Sequence, residues 1–211
     1  SIFLFADDAK LFRHIKTVAD YLNLQQACDR LCNWADRWLL PLNASKCILL
    51  RIGNTSENTD ASYDIQVKNV VSTLKTVTST KDLGVIVDEN LNFKEHTTTK
   101  INKAFSMLGI LKRNFKHTDK DTFVNLYKTI VRSHLDYAIS VWAPHSKKLI
   151  DDLERVQRRA TKLVRHCKDL CYQDRLKYLQ LPTLAVFGNL RTYVRTYSRW
   201  VIYVQNLRTK K

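Results

Sequence analysis

The sequence lacks a long apolar segment. Its longest apolar run near the N-terminal end, residues 2–6, is far too short for a membrane span or a signal peptide. Internal repeats and low-complexity tracts are also absent. We therefore expect a protein that is not secreted and that has no membrane partner.

Cysteine is too sparse, and its number is wrong, for a disulfide-stabilised fold. Five cysteines are an odd number, which argues against a secreted disulfide framework and favours a reducing, intracellular compartment. Cys28 and Cys32 are four residues apart, as are Cys167 and Cys171, a spacing that is compatible with a metal site on one helix face. Because no histidine has zinc-ribbon spacing, although His166 adjoins Cys167, we expect buried free thiols.

Methionine is nearly missing. Met107 is the single methionine of the 211 residues, and the first acidic motif begins within five residues of Ser1. A natural domain rarely begins in the middle of a core hairpin. We therefore expect the chain to be the C-terminal part of a longer polypeptide, whose N-terminal part would be its partner.

Acidic residues are scarce in the second half of the chain. Residues 1–99 carry 11 Lys/Arg and 12 Asp/Glu, whereas residues 100–211 carry 24 and 8, so the net charge of +15 comes from the second half. This asymmetry indicates one module that does chemistry and another that binds a polyanion, with nucleic acid as the expected partner. The alternatives are a solvated basic face or a membrane-surface patch.

The N-terminal end contains an acidic turn between apolar segments. Phe5–Asp8 lies between the apolar run Ser1–Leu4 and the alternating segment Ala9–Phe12, which predicts a β-hairpin. Two carboxylates on a rigid turn suit a hard cation such as Mg²⁺. Since neighbouring strand side chains point to opposite faces, we expect Asp7 to be the direct ligand and Asp8 a secondary or second-metal ligand. The alternative is a polar turn without chemical function.

The first 92 residues combine a helix with several strands, which predicts an α+β unit with its sheet on one side. The helix is predicted over 17–38 and is stopped by Pro41. Strands are predicted over 47–52, over 63–71 with a turn at Lys68-Asn69, and over 81–88 around a glycine, with a polar loop over 55–62. The apolar stripe of the helix consists of Leu24, Ala27, Leu31, Trp34 and Trp38.

From about residue 93 the apolar spacing becomes helical throughout. Thr118-Asp119 and Ser146 are the predicted caps of the second and third helices, and Pro144 breaks the chain before the third. We interpret the three apolar stripes as core. They are Ile101, Ala104, Phe105, Leu108 and Leu111; Phe123, Leu126, Tyr127, Ile130 and Leu135; and Leu149, Leu153, Val156, Ala160, Leu163 and Cys167.

A cationic stripe runs beside the apolar stripe of the third helix. Such a row can follow a sugar-phosphate backbone, and each contact releases counterions. Tyr172, Lys177 and Tyr178 are nearby in sequence and could add aromatic and cationic contacts. The alternative is a solvated face that arginine keeps soluble. The stripe consists of Arg155, Arg158, Arg159, Lys162 and Arg165.

A series of ordered motifs gives the chain a family resemblance. The motifs are Phe5–Asp8, Trp34 and Trp38, Leu42–Cys47, Lys81–Val85, Leu126–Lys128, Val131–Ala138, Val141–Pro144, Leu153–Lys162 and Leu179–Leu184. In this order and spacing they resemble the reverse transcriptases of jockey-like non-LTR (LINE-type) retrotransposons, and the resemblance covers residues 1 to about 184. It implies that residues 1–92 are the C-terminal part of a polymerase palm, that residues 93–184 are an all-helical thumb, and that residues 185–211 are a divergent tail.

The resemblance also implies roles for residues of the palm. Asp7 and Asp8 match the acidic pair that carries Mg²⁺, for which Mn²⁺ can substitute. Lys46 matches a lysine proposed to stabilise or protonate the leaving pyrophosphate, which gains negative charge as the bond breaks. The alternative for Lys46 is a structural lysine at a strand edge.

Leu83, Gly84 and Val85 match the primer-grip turn of the family, where a small residue lets the backbone approach the primer end. The implied thumb holds an RNA template and DNA primer duplex. The implied reaction is attack of a primer 3′-hydroxyl on a dNTP, clamped by two Mg²⁺ ions. The implied location is a ribonucleoprotein in the cytoplasm and nucleus.

The chain departs from the family in two places. The further aspartate and the fingers that a polymerase needs lie upstream in the family, so we predict that this chain alone does not polymerise. After Leu184 the usual arginine-rich stretch is replaced by Ala185–Asn189 and the aromatic segment Tyr193–Tyr203, through a shifted frame or ordinary divergence. The alternative function is a non-catalytic, basic nucleic-acid-binding protein derived from a transposon, with a phosphodiester-cleaving metal enzyme as a more distant one.

Overall fold

A computed structural model of the chain describes residues 1–6, 8–40, 42–53, 62–68, 70–115, 118–184 and 199–204, the last for its backbone only. These residues form two compact units. The sheet unit contains the described residues of 1–82, 87–91 and 199–204, and the helical unit contains those of 83–86 and 92–184. Both helix and sheet are present, which is compatible with the predicted α+β class.

The predicted acidic hairpin is confirmed. β1 (Ile2–Phe5) pairs antiparallel with β2 (Asp8–Arg13), and Phe5 lies opposite Asp8, so the connection is a two-residue turn. This hairpin forms one edge of a five-stranded sheet, whose remaining strands are β3 (Ile48–Ile52), β6 (Lys75–Val77) and β9 (Arg199–Val204). The strand order is β1-β2-β9-β3-β6, and only the β3–β6 pair is parallel.

A single long helix covers one face of the sheet unit. α1 (Val18–Arg37) begins with a capping box in which Thr17 and Asp20 satisfy each other's backbone N–H groups. The predicted stripe is only partly correct, because Trp34 and Trp38 are 42% and 65% exposed. The helix is rotated so that the small thiols of two cysteines enter the core in their place. Its buried residues are Leu24, Cys28, Leu31, Cys32 and Ala35.

Two further hairpins belong to the strand-rich half. β4 (Asp64–Val67) and β5 (Val70–Thr73) pair across the predicted turn at Lys68. The single strand predicted over 81–88 is wrong, since the structure has β7 (Ser79–Asp82) and β8 (Val85–Asp88). Leu83 and Gly84 have φ angles of 44° and 82°, and two successive left-handed residues reverse the chain. Pro41 and residues 55–61 of the predicted polar loop lie outside the described residues, whereas Ser62, the last residue of that loop, is described.

The helical unit is built from short helices around two longer ones. Asp119 caps the helix Lys120–Leu126 as predicted, because its carboxylate accepts the Thr122 N–H at 3.0 Å, whereas the Ser146 side chain makes no capping bond. None of the described helices combines the length and the apolar composition needed to cross a membrane. The helices are α2 (Lys94–Asn114), α3 (Lys120–Leu126), α4 (Ser133–Asp136), α5 (Ile139–Trp142), α6 (Lys147–Thr161) and α7 (Tyr172–Leu179).

A π-helical segment corrects the predicted core of the second helix. Tyr127–Arg132 is π-helical and joins α3 to α4. Its wider turn advances the buried position by one residue, so Val131 is fully buried where the sequence predicted Ile130. Similarly, α6 ends at Thr161, so the predicted continuation to Cys167 is replaced by a turn and a 3₁₀ helix over Arg165–Cys167.

Candidate functional site

The acidic turn stands at the end of the β1–β2 hairpin. Ala6 has a φ of 51°, an uncommon conformation for a residue with a Cβ atom, and it places Asp8 at the first position of β2. Ala9 and Leu11 are buried in the core beneath α1, so Asp8 lies on the opposite face of the strand and is half-buried. Asp7, the predicted direct ligand, lies outside the described residues.

An ion pair that the sequence did not reveal lies on the same strand face as Asp8. Lys10 follows Asp8 by two residues, and its Nζ lies 2.5 Å from Oδ1 of Asp82 on β7. The side chains of Lys10 and Asp82 are only 18% and 21% exposed. Alternation along β2 predicts the face of Lys10, but nothing in the sequence spacing predicts its partner 72 positions away.

The described residues contain no metal site that is complete by itself. Within the described ranges, no group of three His, Cys, Asp or Glu side chains converges closely enough to hold an ion. Among the described residues, Asp8 is the carboxylate at this turn, and Mg²⁺ normally requires carboxylates together with substrate phosphates in a shaped site. The described donor set does not fit a resident Mg²⁺ ion, and no chemical step is assigned to one in this chain.

Lys46 lies on a short, well-fixed turn. The Asn43 side chain caps the 3₁₀ helix Ala44–Lys46 by accepting the Ser45 N–H at 3.2 Å and the Ser45 hydroxyl at 2.6 Å. The Lys46 side chain is exposed, and the chain then enters β3 through the buried Cys47. These hydrogen bonds fix the turn that carries Lys46.

The predicted primer-grip residues form the tip of the β7–β8 hairpin. Leu83 is 47% exposed, whereas Val85 is buried. Gly84 is required by its φ of 82° and by a close approach, because a Cβ atom there would lie 3.2 Å from Cε1 of Tyr137. The tip therefore presents backbone and one apolar side chain to solvent.

All five residues of the predicted cationic stripe are exposed, but they do not share one helix. Three of them lie on α6, Lys162 is its C-terminal cap, and Arg165 begins the following 3₁₀ helix. The charges are also partly engaged: Arg155 pairs with Asp152 at 3.1 Å, and Arg158 lies over the Tyr172 ring. We call Arg155, Arg158, Arg159, Lys162 and Arg165 the basic face.

Buried polar groups support α6 from beneath, and sequence reasoning missed them. Gln157 is fully buried, accepts the Tyr127 hydroxyl at 2.9 Å and donates to the Pro182 carbonyl at 2.9 Å. Glu154, also buried, accepts a hydrogen bond from the Tyr172 hydroxyl. Burial raises the pKa of both tyrosines above its ordinary value, so their hydroxyls stay protonated donors.

These contacts fix the orientation of α6. Glu154 and Gln157 lie one turn apart on the buried face of α6. Each is followed in the sequence by an exposed arginine, Arg155 and Arg158 respectively. The signal in the sequence was two polar residues on the apolar side of a helix. Of the other predicted contributors, Tyr172 is engaged in this network, Tyr178 is 41% exposed beneath Lys120, and Lys177 is exposed.

All five cysteines are free thiols, and the predicted burial is confirmed for four of them. Cys28, Cys32, Cys47 and Cys167 are buried, whereas Cys171 is exposed and caps α7. Burial raises the pKa of Cys28 to about 12, which keeps its thiol protonated and unreactive. The four buried thiols act as small apolar core groups.

Comparisons with known proteins point to mobile-element polymerases. The chain is 28% identical over 156 residues to a Pol polyprotein from the type-1 retrotransposable element R1 of Bradysia coprophila, which covers 67% of this chain and 14% of that protein. It is 27% identical over 162 residues to the RNA-directed DNA polymerase from the mobile element jockey of Drosophila funebris, which covers 72% of this chain and 17% of that protein.

A shorter relative is more similar in sequence. An uncharacterized protein of Caenorhabditis elegans is 34% identical over 118 residues, 53% of this chain and 60% of that protein. No family model matches the chain, and no solved structure matches it. The chain thus spans less than two thirds of the length of these relatives, and the similarities support an origin related to non-LTR retrotransposon polymerases.

Proposed function

We propose that the chain is the C-terminal palm region and the thumb of a non-LTR retrotransposon reverse transcriptase, an RNA-directed DNA polymerase. The observation that carries this proposal is the similarity to R1 and jockey polymerases over 67–76% of the chain. In the intact enzyme, a primer 3′-hydroxyl would attack a dNTP on an RNA template. The enzyme would work within a ribonucleoprotein in the cytoplasm and nucleus.

In this proposal, residues of the sheet unit act at the reacting end of the primer. Asp7 and Asp8 would supply the acidic turn, and the exposed Lys46 would meet the leaving pyrophosphate, whose negative charge grows as the bond breaks. Mg²⁺, or Mn²⁺ in its place, would need a further carboxylate from an upstream strand and the phosphates of the nucleotide. The chain alone should therefore show no primer extension.

In this proposal, residues of the helical unit hold the duplex of RNA template and DNA primer. The basic face carries five exposed cations, and α6 presents three of them from a helix whose inner side is fixed by buried hydrogen bonds. Contacts of this kind to phosphates give position and affinity without reading sequence. The exposed tip at Leu83 and Gly84 would meet the primer terminus.

Photocrosslinking from the primer terminus tests this proposal with the chain as it exists. A DNA primer carrying a photoreactive 3′-terminal base is annealed to an RNA template, bound to the chain and irradiated, and crosslinked peptides are identified by mass spectrometry. We expect crosslinks at 83–85 that disappear when the same group is moved to the middle of the duplex.

A non-catalytic binding protein would give a different pattern. It would crosslink through α6 and its neighbourhood wherever the photoreactive group was placed, with no preference for the primer terminus. That result would refute the polymerase assignment and favour a domesticated nucleic-acid-binding role. Clear primer extension by the chain with Mg²⁺ and dNTPs would refute its proposed dependence on an upstream segment.

A further inference from the structure

The Leu83–Gly84 turn is held by a closed set of contacts within the helical unit. The Tyr137 hydroxyl donates to the Leu83 carbonyl oxygen at 2.8 Å, and the Tyr137 ring covers Gly84. On the far side of the turn, the Ile86 N–H donates to Nδ1 of His96 at 3.0 Å. The turn residue Leu83 and the β8 residue Ile86 are therefore each attached to a side chain of the helical unit.

A tryptophan joins these two attachments to each other. Trp142 is fully buried, and its Nε1–H donates to the Tyr137 carbonyl oxygen at 2.7 Å. The His96 ring meets Trp142 edge to face, with ring centroids 5.0 Å apart. We call Tyr137, Trp142 and His96 the turn clamp, because they connect Leu83 to Ile86 through one continuous chain of contacts.

The clamp stabilises a strained backbone at a solvent-exposed position. Leu83 has a φ of 44° and Ala138, next to Tyr137, has a φ of 53°, which is unfavourable for residues with a side chain. Leu83 and Tyr137 are nevertheless 47% and 51% exposed, and the Lys100 ammonium lies 5.2 Å from the centre of the Tyr137 ring. A rigid turn with an exposed ring and a cation beside it is suited to a ligand that is anionic and carries flat bases.

We propose that Tyr137 is a positioning residue, which acts through the Leu83 carbonyl to fix the turn that receives the primer terminus. The role of Tyr137 at the primer terminus rests on the proposed polymerase function, whereas the contacts of the turn clamp do not. Tyr137→Phe removes the hydroxyl and leaves the ring over Gly84. Tyr178→Phe is the matched control, since Tyr178 is a partly exposed tyrosine of the same unit with a lysine over its ring.

Amide hydrogen exchange measured by NMR tests the clamp. Loss of one hydrogen bond should raise the exchange rates at Gly84, Val85 and Ile86 about fivefold in Tyr137→Phe, with no change in α6. Tyr178→Phe should leave these rates unchanged. Unchanged exchange at the tip of Tyr137→Phe would overturn the inference, whatever nucleic acid the protein binds.

Primer-terminus crosslinking tests the positioning role. In Tyr137→Phe the yield of terminus-dependent crosslinks at 83–85 should fall about fivefold, while the affinity for the duplex stays as in the wild type. A lower affinity without loss of terminus preference would overturn the positioning role. If exchange responds as expected but even the wild type gives no terminus-dependent crosslink, the proposed polymerase function fails while the clamp stands.

Discussion

The two units carry their candidate functional residues in different ways. In the sheet unit, Asp8 and Lys46 are placed by two tight turns, each fixed by backbone geometry and a few local hydrogen bonds. In the helical unit, the basic face depends on hydrogen bonds between residues 15 to 30 positions apart, which hold the inner side of α6. The first kind of placement is local, and the second depends on tertiary packing.

This difference has an energetic consequence. A turn on a sheet edge can change its side chains at little cost, because few buried groups depend on them. A buried polar network must be complete, since each missing partner leaves a desolvated polar group that costs about 1–3 kcal/mol. We therefore expect substitutions beneath the basic face to alter stability, and substitutions at the acidic turn to alter function alone.

The largest expected effect concerns His96. Burial lowers its pKa from 6.5 to about 4, with the Lys100 ammonium as a smaller cause. The unfolded chain therefore takes up a proton as the pH falls below about 6.5, while the folded chain does not until about pH 4. The free energy of unfolding should fall by about 3 kcal/mol over this range because of His96.

Urea denaturation of wild type and His96→Gln at pH 7.5, 6, 5 and 4 measures this contribution as the difference between their pH profiles. His166→Gln, which replaces an exposed histidine of the same unit, is the matched control. Parallel profiles for wild type and His96→Gln would show that burial of His96 does not drive the pH dependence.

The next largest effect is the loss of stability when the buried hydrogen bonds beneath the basic face are removed. Gln157→Ala leaves the Tyr127 hydroxyl and the Pro182 carbonyl without their partner, so we expect a loss of about 2 kcal/mol of stability in the helical unit. Hydrogen exchange of the protected α6 amides measures the loss. Gln26→Ala, on the exposed side of α1, should change stability by less than about 0.5 kcal/mol. Equal effects of the two substitutions would remove the contrast between the units.

The smallest effect concerns the ion pairs. Lys10 and Asp82 are 2.5 Å apart and mostly shielded from solvent, so a double-mutant cycle with Lys10→Met and Asp82→Asn should give a coupling energy of about 1 kcal/mol. The exposed pair Lys177–Asp174, at 3.9 Å, should give nearly zero. A coupling as weak for the first pair as for the second would mean that Lys10 does not fix β7 beside the acidic turn.

Local patterns predicted much of this molecule. The acidic hairpin, the long helix over 18–37, the strand at 48–52 and the Asp119 cap all follow from alternation, helical periodicity and capping preferences. Each of these signals lies within a single segment of the chain. The exposure of the basic residues was also predictable, because charge scarcely tolerates burial without a partner.

Other features could not be predicted because they arise from contacts between distant segments. Trp34 and Trp38 have the spacing of core residues, but the thiols of Cys28 and Cys32 allow closer packing against the sheet, and the tryptophans remain partly exposed. The π-helical turn at Tyr127 shifts the buried register without any local marker. The hydrogen-bond partner of the Tyr137 hydroxyl is Leu83, 54 residues away. Helix and strand periodicity cannot predict a contact over that separation.

The salt dependence of duplex binding tests the central claim most directly, namely that the helical unit grips nucleic acid through its basic face. The affinity for an RNA–DNA hybrid is measured between 50 and about 300 mM salt for the wild type and for the triple variant Arg158→Ala, Arg159→Ala and Lys162→Ala. We predict that the triple variant lowers the log-log slope by about three units. The control removes three exposed cations from the sheet unit, Lys16, Arg37 and Lys75, and should change the slope by less than about one unit. An unchanged slope for the triple variant, or an equal loss for the control, would contradict this account.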